Sequence, residues 1–319
     1  MDDTAVLDHY LAPLRPLLAP DDVTELVINR PGEVGIEQGG RWRWHDEPVL
    51  TEPWLRTLAV AAAAFTKQDV SDNRPICSTT LPGDERCQIV LPPAAPTGTV
   101  SLTIRKPSRG SFGLDAFATR GLFDAVVAAD DASADPVDAE LLALKRSGNW
   151  PAFFKLAVAS RRNILVSGAT GSGKTTFAKG LVAAIPGHER LLTIEDTREL
   201  VVPHRNAVHL TYAKDGQGLG QVTAKSLLES ALRMRPDRIL LQELRDGTAF
   251  FFLRNVNSGH PGSITTVHAD SAALAFEQLT LLVRESEGGR DLPRDDIRAL
   301  LHLLVDVVVQ SARPRAGFA

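Results

Sequence analysis

The pattern of apolar and polar positions predicts two different kinds of α/β structure along the chain. In residues 1–107, short apolar or alternating runs predict strands, and one Ala-rich amphipathic segment predicts a helix. The predicted strands lie at 23–29, 34–37, 41–44, 87–91 and 100–105, and the predicted helix lies at 54–67. Residues 1–107 are therefore predicted to form the smaller, N-terminal domain, with a mixed α/β structure.

After residue 150, apolar runs and helical periodicity alternate regularly. Strand patterns lie at 163–167, 190–195, 207–211, 238–243, 263–268 and 303–309, and helix patterns lie at 176–185, 223–234 and 271–284. This alternation predicts a mostly parallel sheet with helices on both faces. The intervening segment 108–149 contains polar, acidic and turn-forming residues and is predicted to be a linker. The second domain is therefore predicted at 150–319.

Composition is ordinary for a soluble globular protein, with 44% hydrophobic and 23% charged residues among 319. The formal net charge of −4 gives no electrostatic reason to expect nucleic-acid binding, so no sequence-specific contact of that kind is predicted. Cys77 and Cys87 do not form a C-x-x-C pair. They are predicted to be reduced thiols, although their spacing also permits a disulfide.

The apolar runs of the chain are too short to cross a membrane, which takes about 20 residues. The start of the chain also lacks the basic and apolar regions of a secretory signal. The sequence therefore predicts a cytoplasmic protein with at most peripheral membrane contact. An apolar patch at 11–18 is a candidate for that contact, but its prolines disfavour a stable helix.

A run of consecutive residues after the strand pattern at 163–167 is predicted to bind a nucleotide. These residues are Gly168, Ala169, Thr170, Gly171, Ser172, Gly173, Lys174, Thr175 and Thr176. They match G-x-x-x-x-G-K-[ST] between a strand and a helix, the context of a phosphate-binding loop. Backbone N–H groups of such a loop turn towards phosphate oxygens, and the helix N-terminus adds partial positive charge. Lys174 is predicted to bind the β- and γ-phosphates, and the Thr175 hydroxyl to bind Mg²⁺.

Acids at the carboxyl ends of parallel strands can hold Mg²⁺ and position an attacking water. Two predicted strands end in acids, one at Glu195 and Asp196 and the other at Glu243. We predict Glu195 as a catalytic acid and metal ligand, with Asp196 as the alternative. Glu243 follows a Walker-B-like apolar strand and is predicted to polarise the water. His268 ends a further strand and is predicted to contact the γ-phosphate.

A cation that stabilises charge on the transferring phosphoryl group is the remaining requirement. Arginine often supplies it, in some cases from a neighbouring subunit. The candidates are Arg74, Arg86, Arg105, Arg233, Arg235 and Arg245.

Four segments occur in the order of the motifs of the secretion ATPase superfamily. After the phosphate-binding loop come TIEDTREL at 193–200, LRMRPDRILLQELR at 232–245 and NSGHPGSITTVHA at 257–269. The four segments resemble its Walker A motif, aspartate box, Walker B motif and histidine box. Within that superfamily the chain resembles the type IV secretion traffic ATPases of the VirB-eleven type. It lacks the four-cysteine module that many type II secretion and pilus ATPases carry.

This resemblance implies a RecA-like P-loop domain in a hexameric ring. The ring would bind ATP and Mg²⁺ and hydrolyse ATP to drive substrate translocation and pilus assembly. The implied location is the cytoplasmic face of the inner membrane, with other secretion-system ATPases and inner-membrane components as partners. The resemblance also implies that Arg86 and Arg105 contact the nucleotide, that Glu195 and Glu243 organise water and metal, and that His268 is the box histidine.

One position departs from the family pattern. Gln242 stands where the family often has glycine or alanine before the Walker B acid, which predicts changed packing beside the nucleotide. Two alternative functions stay open at this stage. One is a motor of a type II secretion or pilus system, and the other is a nucleotide-binding scaffold with little hydrolysis.

Overall fold

The N-terminal part of the chain is built on a six-stranded antiparallel sheet. The computed structural model describes residues 4–107, 113–126, 135–213, 218, 220–257 and 259–312. The first strands are β1 (Val23–Ile28), β2 (Glu33–Gln38), β3 (Arg41–Asp46), β4 (Ile76–Thr80), β5 (Arg86–Val90) and β6 (Ser101–Arg105). Their order in the sheet is β3-β2-β1-β6-β5-β4, and each neighbouring pair is antiparallel.

Three helices share one apolar core with this sheet. They are α1 (Thr4–Leu11), α2 (Arg15–Leu18) and α3 (Glu52–Phe65). The leucines of the segment 11–18 point into that core, since Leu11, Leu14 and Leu18 are at most 5% exposed. The prediction of a membrane-contact patch at 11–18 is therefore wrong, because packing within the protein already uses its apolar side chains.

The predicted linker 108–149 contains helical structure. Helix α4 is Leu114–Thr119, α5 is Pro136–Arg146, and α6 (Trp150–Ala159) follows. Leu141 of α5 is buried in a core shared with α6, whereas α4 has no buried residue. Residues 108–112 and 127–134 lie outside the described residues, so the predicted boundaries at 107 and 150 stay predictions.

The C-terminal part contains parallel strands, which confirms the predicted fold class. They are β7 (Ile164–Gly168), β8 (Leu191–Glu195), β9 (Ala207–Thr211), β10 (Arg238–Leu241), β11 (Ile264–Val267) and β12 (Val307–Ser311). They pair in the orders β10-β8-β9 and β11-β7-β12. A parallel bridge between Glu243 and Thr266 connects the two sets. This bridge brings the carboxyl ends of both sets to one edge, where the predicted acids lie.

Helices connect these parallel strands, and two of them were not predicted. The helices are α7 (Lys174–Ala183), α8 (Ala224–Ala231), α9 (Thr248–Asn257), α10 (Ala272–Glu285) and α11 (Arg294–Leu304). The sequence pattern missed α9 and α11 and extended the last strand back to residue 303. Ile297 and Leu301 are fully buried at a helical spacing of four residues, which fixes the core-facing side of α11. Within the described ranges, no helix is long and apolar enough to span a membrane.

A buried arginine joins the antiparallel sheet to the amino-terminal end of the parallel strands. Arg190, just before β8, is fully buried. Its guanidinium donates to the side-chain oxygens of Asn29, Asn206 and Thr103, and to the carbonyl of Met234 at 2.8 Å. Asn29 and Thr103 belong to the N-terminal part, so this single side chain connects both parts of the molecule.

Further contacts lie around this arginine and at the opposite end of β9. Arg235 pairs with Glu37, and Arg205 pairs with Glu33 at 3.0 Å. At the carboxyl end of β9, the amide of Thr211 donates to the carbonyl of residue 94 at 2.9 Å. The N-terminal part therefore contacts the parallel strands at both of their ends.

Replacing Arg190 with alanine should lower the free energy of unfolding by about 3–5 kcal/mol. The substitution leaves buried oxygens without a donor and opens a cavity, and relief from burying the cation offsets only part of that cost. Burial already lowers the pKa of Arg190 to about 9. Urea unfolding measures the change, and Arg146→Ala, on an exposed side of α5, is the matched control. A loss below about 1 kcal/mol would contradict the role of Arg190 as the connection.

Glu25 makes stability depend on pH. Burial raises the pKa of Glu25 from 4.5 to about 7, although Arg105 opposes that shift. Between these values the folded chain holds a proton that the unfolded chain has released, so the free energy of unfolding falls as pH rises. Glu25→Gln should remove this slope and gain up to about 3 kcal/mol over the wild type between about pH 5 and pH 8.

Urea unfolding of the two proteins at both pH values tests this expectation. Glu229→Gln, at an exposed position of α8, controls for the loss of a carboxylate elsewhere. Parallel pH slopes for the wild type and Glu25→Gln would show that Glu25 titrates as an ordinary carboxyl.

Candidate active site

The predicted phosphate-binding loop lies between β7 and α7, as the motif requires. Gly173 precedes α7 with a φ of +88°, a conformation that glycine adopts without strain. At Gly168, an added Cβ would lie 2.4 Å from the backbone oxygen of Ser311 in β12, so only glycine fits there. Ser311 also donates its hydroxyl to the carbonyl of Ser172. Strand β12 therefore packs against the phosphate-binding loop and helps to fix its conformation.

Lys174, His268 and Glu243 form a continuous chain of polar contacts. Lys174 Nζ donates to the carbonyl of Ala169 at 3.0 Å and lies 3.2 Å from His268 Nδ1. An ammonium group can only donate, so Nδ1 accepts and Nε2 carries the proton in the neutral ring. Nε2 then donates to Glu243 Oε1 at 3.1 Å. The structure thus brings three of the predicted residues from three separate motifs together.

Burial lowers the pKa of Lys174, although the nearby Glu243 carboxylate opposes that shift. An ammonium group at the mouth of a phosphate-binding loop gains a strong partner when a phosphate arrives. Lys174 therefore lies where it can bind a phosphate, and Glu243 lies where it can contact an attacking water. This arrangement can bind a triphosphate and polarise a water beside it.

Asn163, just before β7, holds the loop that leads to His268. Its side-chain oxygen accepts the amides of Gly262 at 2.8 Å and Ser263 at 3.1 Å. Its side-chain amide donates to the carbonyl of Leu304 at 2.8 Å. The sequence analysis did not identify Asn163, because an asparagine before a strand is common and only the fold brings these segments together.

Glu195 ends β8 with a carboxylate that is 1% exposed and fully used in hydrogen bonds. Oε1 accepts the amides of Glu199 and Leu200, both at 2.9 Å, and Oε2 accepts the hydroxyl of Thr193 at 3.0 Å. Burial alone would raise the pKa of Glu195, but His209 and these hydrogen bonds outweigh it and lower the pKa. Glu195 is therefore ionised and fixed, and a direct metal contact of this residue stays a prediction.

A small polar cavity separates Glu195 from Glu243. Its volume is about 10 Å³, close to the least that accommodates one water molecule. Asp196 and Arg245 also line it, and these two side chains form an ion pair. The ion pair ties the aspartate box to the Walker B segment. Both acids thus line one cavity of about the size of a water molecule. The sequence predicted only that both acids lie at the carboxyl ends of strands.

Arg86 and Arg105 lie side by side on the antiparallel sheet, opposite one another in the β5–β6 pairing. They line a cavity of about 600 Å³ together with Arg233. No residue of the phosphate-binding loop lines that cavity. Within one subunit the structure therefore does not bring these arginines to Lys174, and their contact with nucleotide stays a prediction.

The other arginine candidates have different surroundings. Arg235 pairs with Glu37 at the interface of the two parts of the molecule, and Arg245 pairs with Asp196 beside the acids. Of all the candidates, Arg245 is the one whose guanidinium lies next to the strand-end acids.

A phosphate-binding loop with a lysine, two strand-end acids and a histidine on a parallel sheet defines the class of P-loop ATPases.

Comparison with known proteins agrees with this class. A family model described as "Type II/IV secretion system protein" matches residues 9–311. The type IV secretion system protein VirB11 of Bartonella henselae is 50% identical over 331 residues, covering 99% of this chain and 92% of that protein. VirB11 of Brucella suis is 48% identical, covering 96% of this chain and 85% of that protein.

A solved structure extends the comparison to three dimensions. It is the crystal structure of the VirB11 ATPase from the Brucella suis type IV secretion system in complex with sulphate. The TM-score is 0.90 at 48% identity, covering 97% of this chain and 90% of that chain. The chain therefore belongs to the Type II/IV secretion system protein family and, within it, to the VirB11 ATPases of type IV secretion systems.

Proposed function

We propose that this chain hydrolyses ATP with Mg²⁺ as one subunit of a hexameric motor. The motor drives substrate translocation and pilus assembly in a type IV secretion system, at the cytoplasmic face of the inner membrane. Its partners are other secretion-system ATPases and inner-membrane components. The observation that carries the hydrolytic part is the contact chain from Lys174 through His268 to Glu243.

In this mechanism the phosphate-binding loop and Lys174 hold the β- and γ-phosphates. Glu243 accepts a proton from the water that attacks the γ-phosphate, with the water placed in the small space between Glu243 and Glu195. His268 lies between Lys174 and Glu243, and its Nε2–H donates a hydrogen bond to the carboxylate without transferring the proton. It therefore orients that carboxylate and senses whether Lys174 has a phosphate partner.

The donor set also fits Mg²⁺. Among the described residues, no three His, Cys, Asp or Glu side chains cluster closely enough to hold a metal by themselves. In phosphoryl-transfer sites Mg²⁺ takes most of its ligands from phosphates and water and few from the protein. The Thr175 hydroxyl would hold it, and the buried, fully bonded Glu195 would act through a water. When bound, Mg²⁺ neutralises charge on the phosphates.

The ring explains the position of Arg86 and Arg105. These arginines face a cavity away from their own phosphate-binding loop, so they do not act on that subunit's nucleotide in the arrangement described. In a head-to-tail ring, each subunit can present such residues to the nucleotide of its neighbour. We therefore assign their contribution to the adjacent subunit.

Solution mass by light scattering, with and without a non-hydrolysable ATP analogue, tests the ring, and phosphate release tests hydrolysis. We expect a six-subunit species and a turnover that stops when EDTA removes Mg²⁺. A monomer at every nucleotide concentration that still hydrolyses ATP would reject the ring. A six-subunit species without turnover would instead favour a nucleotide-binding scaffold.

A further inference from the structure

Thr193 and His209 lie behind the carboxylate of Glu195, on two neighbouring parallel strands. The β8–β9 register places Thr193 opposite His209. Thr193 and Glu195 are two residues apart in β8, so their side chains share one face of the sheet. The His209 side chain is only 11% exposed. The pairing of β8 with β9 therefore places the Thr193 hydroxyl beside both the Glu195 carboxylate and the His209 imidazole.

The chemistry of the contacts fixes the direction of each hydrogen bond. Ionised Glu195 can only accept, so the single hydroxyl proton of Thr193 goes to Glu195 Oε2, at 3.0 Å. Thr193 Oγ1 also lies 3.0 Å from His209 Nδ1. Since the hydroxyl proton is already used, Nδ1 must carry a proton and donate it to Oγ1. His209 therefore carries a proton at Nδ1, whereas the Nδ1 atom of His268 accepts a hydrogen bond from Lys174.

His209 does not reach the carboxylate directly. The distance from His209 Nδ1 to Glu195 Oε2 is 3.9 Å, too long for a hydrogen bond. The interaction therefore passes through the hydroxyl of Thr193. Chains of this kind polarise each member, which strengthens the final bond to the charged group.

The two oxygens of Glu195 are held by different parts of the protein. Backbone amides of the following loop hold Oε1, whereas among the described residues only the Thr193 hydroxyl donates to Oε2. If that hydroxyl turned away, the carboxylate could rotate about its last bond and change the space that it shares with Glu243. In the mechanism proposed above that space holds the attacking water, so this one bond would help to set the position of the water.

We propose that His209, acting through the hydroxyl of Thr193, is a positioning residue that fixes the Glu195 carboxylate for ATP hydrolysis. The proposal rests on the hydrolytic function proposed above. His209 does not line the cavity between Glu195 and Glu243. Its effect is therefore expected on the rate constant and not on nucleotide affinity, since Lys174 and the phosphate-binding loop are separate from it.

Variants of His209 separate positioning from packing. His209→Leu fills the same largely buried position with an apolar side chain and removes the donor, so kcat should fall about tenfold or more while KM for ATP stays unchanged. Asn carries its amide nitrogen two bonds from Cβ, where Nδ1 lies in histidine, so His209→Asn should restore most of kcat. His209→Gln places its amide one bond further out and should not. His188→Leu, at an exposed position, is the matched control.

Thr193 supplies an independent check. Thr193→Ser keeps the hydroxyl and should retain kcat, whereas Thr193→Val removes it and should lose kcat as His209→Leu does. Because both residues act through one bond, the double variant Thr193→Val with His209→Leu should lose no more than Thr193→Val alone. The ¹⁵N shifts of the His209 ring should report protonation at Nδ1.

The outcomes distinguish this proposal from the function on which it rests. An active wild type with equal activity in His209→Leu, His209→Asn and His209→Gln would overturn the positioning role and leave the ATPase intact. Multiplicative losses in the double variant would show that the two residues act separately, which also overturns it. A wild type that releases no phosphate as a six-subunit species would instead refute the proposed function. Equal melting temperatures exclude simple unfolding.

Discussion

Lys174→Ala is expected to reduce ATP hydrolysis by about a thousandfold or more. The ammonium group is the only described cation that lies inside the phosphate-binding loop, where it donates to the loop carbonyl of Ala169 and contacts His268. Without it, the developing charge on the γ-phosphate loses its closest stabilising partner. Phosphate release under saturating Mg-ATP measures the loss.

The matched control for this substitution is Lys179→Ala, a half-buried lysine on the same helix, α7. It removes the same charge from the same element but not from the loop, so hydrolysis should stay within about twofold of the wild type. Residual hydrolysis above about a tenth of the wild-type rate in Lys174→Ala would mean that another cation binds the γ-phosphate. Arg245 would be the next residue to test.

Glu243→Gln is expected to lower kcat by about 10²–10⁴-fold while ATP still binds. The amide keeps the size of the side chain and can still accept the proton of His268 Nε2, but it cannot take a proton from water. The loss should therefore fall on kcat and not on nucleotide affinity, which fluorescence of a labelled ATP analogue can measure separately.

Glu285→Gln, an exposed glutamate at the end of α10, controls for a general charge effect. Unchanged hydrolysis in Glu243→Gln would remove the general-base role from this residue. If the wild type also hydrolysed ATP at a rate near zero, the two results together would favour the nucleotide-binding scaffold that the sequence left open.

The sequence predicted the elements that carry strong local patterns. The glycine-rich loop, Lys174 and the parallel strands around it follow from a motif and from apolar periodicity, and the structure confirms the parallel sheet. It also brings Lys174, His268 and Glu243 together, although they come from three segments far apart in the sequence. In the sequence, only the positions of these residues near the carboxyl ends of strands indicated that they could lie close together, because the carboxyl ends of parallel strands share one edge of the sheet.

Long-range contacts were beyond the reach of local patterns. Leu11, Leu14 and Leu18 suggested a surface patch, yet they fill the N-terminal core, because local apolarity cannot tell a membrane from an interior. His209 gave no signal, since a histidine in a strand gains its role only from the neighbour across the sheet. Arg190 also looked like any other arginine before the fold buried it between two parts of the chain.

The close approach of β12 to the phosphate-binding loop also bears on synthesis of the chain. Ser311 fills the space beneath Gly168 and donates to Ser172, and Asn163 depends on the carbonyl of Leu304. The loop residues leave the ribosome long before these supports, because Ser311 lies 139 residues after Ser172 in the chain. A nascent chain therefore carries the complete nucleotide motif in its sequence but cannot assemble the pocket described above until β12 has been made.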